Sequence, residues 1–227
     1  AYNVDPYMMI ARLRGVLKRQ VQKNRFEKQL SLIVAAYNVD PYIEKFFHSI
    51  FNQSSRLRNF EVIVVDDGST DNTAQIIREW QDRHPTQIRY VHQQNAGAAA
   101  ARNTGLALAT GQWVCFPDPD DFVNADYFRE MIKETELNYK KPLLAVISNL
   151  VFFHEDTNEY SDTHPLKYKF ASGKVRRVTS DDLGAFIHLS GASSWILRES
   201  IQSKGLTFDS RVKPTFEDAH LINRIFI

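Results

Sequence analysis

The chain has 227 residues, 43% of them hydrophobic and 24% charged, with a formal net charge of +1. That is the composition of an ordinary globular protein, long enough for one α/β domain with a sizeable core or for one domain plus an appendage. The near-neutral balance gives no basis for nucleic-acid binding; the single cysteine, Cys115, excludes a disulfide framework within the chain and fits a reducing cytoplasm.

In chain order, the first feature is a charge imbalance. Residues 1–29 hold seven Lys/Arg against Asp5 and Glu27, a balance of +5 that leaves −4 on the remainder. Ile10, Leu13, Leu17 and Val21 fall near helical spacing among Arg12, Arg14, Lys18, Arg19, Lys23 and Arg25, so this N-terminal extension reads as a basic helix. Such a helix either lies on an anionic membrane surface through residues 8–28 or docks on the domain by its apolar stripe. The stripe is narrow and lacks Trp or Phe, which favours docking. Residues Ala1–Tyr7 duplicate Ala36–Tyr42, but the residues that follow differ completely, so this is no structural repeat. Met8 or Met9 reads as the natural start, and residues 1–7 are given no functional role. No apolar run is long enough to span a bilayer and no secretory signal is visible.

From residue 30 onward strands and helices alternate. Strands are predicted at 30–36, 60–65, 87–92, 112–116 and 143–152, and helices at 41–52, 72–84, 97–109, 124–139 and 217–227. The alternation implies an α/β fold, a Rossmann-like and mostly parallel central sheet with helices on both faces. The first strand ends at Ala36, Tyr37 and Asn38, with Pro41 at the following helix start. The second, Val62 to Val65, ends at Asp66, Asp67 and Gly68, before the helical pattern of Ile76, Ile77 and Trp80. A later apolar run, Trp113-Val-Cys-Phe, stops at Pro117, Asp118, Pro119, Asp120 and Asp121.

Open α/β sheets bind ligands at the carboxyl ends of their strands. Three carboxylates this close repel one another unless a cation compensates, and hard oxygen ligands suit Mg²⁺ or Mn²⁺, which in turn suit a diphosphate. Taken alone, Asp-Pro-Asp-Asp is equally a turn and a helix cap; the two other polar strand ends break the tie. No G-x-G-x-x-G follows the first strand, which disfavours a dinucleotide dehydrogenase. Residues 153–180 are polar with little periodicity, and His154 and His164 read as solvated loop residues because their spacing fits no standard metal site. The apolar end Ile225, Phe226 and Ile227 sits inside an apparent helix, so the chain is expected to continue.

The ordered set SLIVAAYN, VIVVDDGSTDNT, NAGAAAARNTG, WVCFPDPDD and FED resembles the family 2 inverting glycosyltransferases with the GT-A fold, over about residues 30–220. The resemblance implies a GT-A domain at 30–227, truncated at its C-terminal end, behind the 1–29 extension, with a further domain beyond 227 left open. It implies a nucleotide-sugar donor, UDP-linked as the leading guess, and a glycan, lipid-linked or surface-polymer acceptor. On the donor side stand Ala36, Tyr37, Asn38, Asp66 and Asp67, with Asp67 matching the base-contacting acid. Asp118 and Asp120 match the Asp-x-Asp signature: Asp120 binds Mn²⁺ or Mg²⁺ most directly, and Asp118 reaches the ribose or metal-bound water. Arg102 is assigned to the donor phosphates, the alternative being an ion pair with one of the acids. Asp218 matches the general base and Glu217 a residue that orients the pocket or meets acceptor hydroxyls, although a helix dipole alone favours such a pair. The Gly191–Trp195 stretch is read as acceptor wall, Trp195 being either a sugar-stacking ring or a core residue. Pro119 departs from the small polar residue of many relatives, and His220 is left unassigned. The different-class alternative is a non-catalytic nucleotide- or glycan-binding module on the same scaffold; the intact Asp118, Asp120 and Asp218 argue against it.

Overall fold

A computed structural model describes residues 28–54, 59–136, 143–163, 190–212 and 217–226. The basic extension to residue 27 and His164 lie outside the described residues.

The strands are β1 (Lys28–Ala36), β2 (Phe60–Asp66), β3 (Ile88–His92), β4 (Gly111–Cys115), β5 (Ala145–Ile147), β6 (Phe152–His154), β7 (Glu159–Ser161) and β8 (Ser194–Leu197). The helices are α1 (Asp40–Phe51), α2 (Thr73–Arg83), α3 (Ala98–Leu108), α4 (Tyr127–Glu136), α5 (Arg198–Gln202) and α6 (Glu217–Phe226). The main sheet has the order β3-β2-β1-β4-β8-β5. Pairings β1–β2, β1–β4 and β2–β3 are parallel, whereas β8 runs antiparallel to both β4 and β5. The mostly parallel sheet flanked by helices is thus realised, with its carboxyl edge formed by β1, β2 and β4.

Strand residues alternate between two cores because successive side chains leave opposite faces of a sheet. Leu30, Leu32, Val34, Val62 and Val64 pack with Phe46, Phe47, Trp80, Phe128 and Trp195 under α1, α2 and α4. Ile33, Ile63, Val65, Val114 and Ile196 pack with Ala101, Leu106, Leu221 and Ile225 under α3 and α6. Burial on both faces explains why β2 reads as an unbroken apolar run. Helix α3 lies unusually close to the sheet: a Cβ on Gly105 would sit 2.4 Å from Ile33 Cγ2. That approach brings the N-terminal turn of α3, and with it Arg102, onto the carboxyl edge.

Two sequence expectations fail in the second half. The single strand predicted at 143–152 is two: β5 on the sheet edge and β6 in a separate hairpin with β7. Strand β8 was not predicted at all, since four residues carry too little periodicity to register. It inserts between β4 and β5, so residues 194–197 are central sheet.

Candidate functional site at the carboxyl edge

Three loops meet where β1, β2 and β4 end. After β1, Asn38 takes a left-handed conformation with φ of 52°, which its short polar side chain tolerates. Its backbone N–H donates to Ser69 Oγ (3.1 Å) and its Oδ1 accepts the Thr70 N–H (2.8 Å), stitching the β1 and β2 ends together. Tyr37 is half exposed beside it.

Asp66 is fully buried, accepting the Ser69 N–H at 2.8 Å and the Tyr90 hydroxyl at 2.7 Å, with His92 Nδ1 at 3.1 Å. Burial alone would raise its pKa, but the hydrogen bonds from Ser69, Tyr90 and His92 outweigh that and hold it below the usual carboxylate value. The same burial and the Asp66 carboxylate push Tyr90 up to about 12. Asp67 turns the other way and accepts from Gln93 Nε2 (2.7 Å), the Ala96 N–H (2.9 Å) and the Gly97 N–H (2.7 Å). Its carboxylate therefore shapes the loop that launches α3; the base contact expected of it has to share the carboxylate with those three donors. Tyr90, His92 and Gln93 were missed in the sequence because nothing in β3 marks them as partners of an acid 24 or more residues away.

The loop after β4 carries Asp118, Asp120 and Asp121, with the Asp121 N–H closing a turn on the Asp118 carbonyl at 3.1 Å. Asp118 is pushed up by desolvation, pulled down by Arg102, and pushed up again by the charges of Asp120 and Asp218. Partial desolvation in the crevice, and then repulsion from Asp118 and Asp120, push Asp121 up to about 6, although its side chain still meets solvent. Arg102 bridges Asp118 and Glu217, so the Asp-x-Asp loop lies beside the start of α6, though the two are a hundred residues apart in the chain.

Asp218 and Glu217 open α6. Asp218 Oδ2 accepts the Gly191 N–H at 2.9 Å and Oδ1 the Ala219 N–H at 2.6 Å. Gly191 in turn accepts the Phe116 N–H on its carbonyl at 3.2 Å, tying the acid to the end of β4. Glu217 is buried and accepts Arg102 Nη1 at 2.5 Å, while Arg102 Nη2 reaches Asp118 Oδ1 at 2.7 Å. The ion-pair alternative for Arg102 is the arrangement formed. Trp195 is fully buried, with Nε1 donating to the Tyr127 hydroxyl at 3.1 Å and its ring edge-on to Tyr127 and Phe128. Its place on central strand β8 makes it a core residue, and a sugar ring cannot reach its face. His154 is exposed on the hairpin and bonds Ser161. His220 keeps a buried Nδ1 with no partner among the described residues.

For a divalent ion, the chain offers hard carboxylate oxygens that already repel one another. Among the described residues no three His, Cys, Asp or Glu side chains converge into a ready cage. Mg²⁺-type sites commonly use one or two carboxylates, with water and substrate phosphate completing the shell, so the residues present fit an ion that arrives with a diphosphate.

The pattern of glycosyl transferase family 2 matches residues 31–202. The chain belongs to this family. It is 30% identical over 205 residues to the minor teichoic acid biosynthesis protein GgaB of Bacillus subtilis, covering 90% of this chain and 22% of GgaB. Among solved structures, Staphylococcus aureus TarS 1–349 superposes with a TM-score of 0.63 at 22% identity, over 87% of this chain and 55% of that one. The mannosyltransferase PcManGT of Pyrobaculum calidifontis, solved with GDP-Man and Mn²⁺, gives 0.66 at 26% identity, over 88% and 52%. The fold is that of the GT-A glycosyltransferases, and the family 2 chain spans about a fifth of GgaB and about half of the two solved chains.

Proposed function

We propose that this family 2 domain is a metal-dependent inverting glycosyltransferase, moving a sugar from a UDP-linked donor to a hydroxyl of a cell-surface polymer or lipid-linked glycan. The observation that carries the reading is the Arg102 bridge, which joins Asp118 of the Asp-x-Asp loop, at the carboxyl edge of a parallel sheet, to Glu217, the neighbour of Asp218. The relatives supply the context: TarS is named a poly(ribitol-phosphate) β-N-acetylglucosaminyltransferase and has been solved with UDP-GlcNAc.

In this reading the donor base and ribose lie along the β1 and β2 ends, at Ala36, Tyr37, Asn38, Asp66 and Asp67. Asp120 and Asp118 would hold Mn²⁺ or Mg²⁺, which would supply positive charge to stabilise the departing diphosphate. Asp218 takes the proton of the acceptor hydroxyl as its oxygen attacks the anomeric carbon from the face opposite the leaving group. The bond from that carbon to the diphosphate oxygen breaks, and its electrons leave with the nucleoside diphosphate. The two N–H donors from Gly191 and Ala219 fix the orientation of its carboxylate. Glu217, locked by Arg102, borders the acceptor side. A cytoplasmic place of action completes the reading.

The test is Asp218→Asn. Transfer is expected to fall by about 10²- to 10⁴-fold, the range for loss of a general base, with metal-dependent nucleotide affinity unchanged. Loss of nucleotide affinity in that variant would move Asp218 out of the base role. Nucleotide binding without any transfer by the wild type would instead favour the binding-module alternative.

A further inference from the structure

Arg102 stands between the two halves of the reaction, and resting on the functional reading above we propose that it is a positioning residue, not a phosphate clamp. It ties the Asp118 loop to the first turn of α6, so that the donor-side acids and the base Asp218 move as one unit. Both terminal guanidinium nitrogens are engaged, one on Asp118 at 2.7 Å and the other on Glu217 at 2.5 Å. Its side chain is only 10% exposed, and Nε is buried without a partner among the described residues. A guanidinium that clamps phosphate presents its planar fork to the ligand; this one has turned that fork onto two protein carboxylates.

The surroundings are built to keep it there. The guanidinium lies 5.7 Å from the centroid of Phe208. The next residue, Asn103, grips the Phe208 backbone both ways: Nδ2 donates to its carbonyl (2.9 Å) and Oδ1 accepts its N–H (2.8 Å). A second tie runs parallel to the arginine, from Phe116 through Gly191 to Asp218. Between them, the two ties hold the first turn of α6, at Glu217 and at Asp218, against the end of β4. The cation also screens Asp118 from Asp218, whose charges otherwise push the loop and the helix apart. Lysine supplies the charge but not the fork, so it holds one carboxylate at a time.

The competing roles predict opposite signs. A phosphate clamp loses nucleotide affinity when removed; a tie that occupies Asp118 frees a metal ligand. The experiment compares wild type, Arg102→Met, Arg102→Lys, Glu217→Gln and the double variant Arg102→Met/Glu217→Gln, which removes the buried cation together with its buried partner. Mn²⁺ affinity without nucleotide, UDP affinity with Mn²⁺, turnover and melting temperature are read for each. Arg102→Met is expected to bind Mn²⁺ at least as tightly as wild type and UDP within about threefold. Its turnover is expected to drop about 100-fold, the loss that a 1 Å misplacement brings. The double variant should fold and lose no more turnover than the worse single variant, as members of one unit do. A UDP affinity weakened tenfold or more with Mn²⁺ binding intact, or turnover within threefold of wild type, overturns the proposal. Wild type that fails to bind any nucleotide with Mn²⁺ overturns the functional reading itself, and this inference with it.

Discussion

Gly191→Ala places a methyl group beside the proposed base, Asp218. The added Cβ would lie 3.3 Å from Asp218 Cβ and 3.4 Å from Phe116 Cβ, with Asp218 Oδ2 at 3.6 Å. Both Cβ neighbours are fixed to backbone, so neither can swing aside by changing rotamer. Restoring ordinary carbon contacts of about 3.5–4.0 Å requires α6 or the 190–193 turn to give by roughly 0.4 Å. Overpacking of this size costs about 1 kcal/mol, which lowers the melting temperature by about 2–4 °C in a chain of this length. Misplacing a catalytic group by 1 Å is worth about 10²-fold, so 0.4 Å is worth about 4- to 10-fold in turnover. The assay is turnover with the donor identified by nucleotide titration, alongside nucleotide affinity and thermal melting on the same preparations. A melting temperature that falls as calculated with turnover untouched would refute the claim that Gly191 sets the base. A tenfold loss of nucleotide affinity would place the turn on the donor side instead.

Asp120→Ala should abolish Mn²⁺-dependent nucleotide binding in calorimetry, and undiminished affinity with Mn²⁺ present would sink the metal assignment. Trp195→Phe removes the indole donor to Tyr127 and part of a fully buried ring; it should lower unfolding stability by about 2 kcal/mol in urea. An unchanged urea midpoint with a raised acceptor KM would return Trp195 to the acceptor wall. Asp121, pushed up to about 6, holds its proton more tightly folded than unfolded. The stability from that proton is present at low pH and is lost as pH rises through the folded value. With metal chelated, wild type should therefore lose melting temperature relative to Asp121→Asn between pH 4 and about 6, then level off; parallel profiles would contradict the raised value.

Polar residues at the ends of apolar runs were legible as sharing one edge because a parallel sheet delivers its carboxyl termini to the same side. Asp66, Asp67, Asp118 and Asp120 needed only that rule. Asp218 was legible by resemblance alone, since a Glu-Asp pair opening a helix is also what a helix dipole selects. The burial of Trp195 was not legible, because its strand is four residues long and pairs with β4 and β5, both distant in sequence. Nor was the role of Gly191, whose only signal is a backbone N–H 27 residues from the acid it serves. The split of 143–152 into β5 and β6 hid for a similar reason: β5 is a half-buried edge strand and its residues alternate weakly. Local pattern finds where a strand ends; what it meets there depends on pairings that local pattern does not carry.

The most direct test of the central claim is calorimetric titration of UDP, GDP and CDP into the protein, each with Mn²⁺ and again with EDTA. A metal-dependent donor site gives binding of one nucleotide in Mn²⁺ that disappears in EDTA, and UDP is the one expected. Binding that survives EDTA unchanged, or no binding of any of the three, contradicts it.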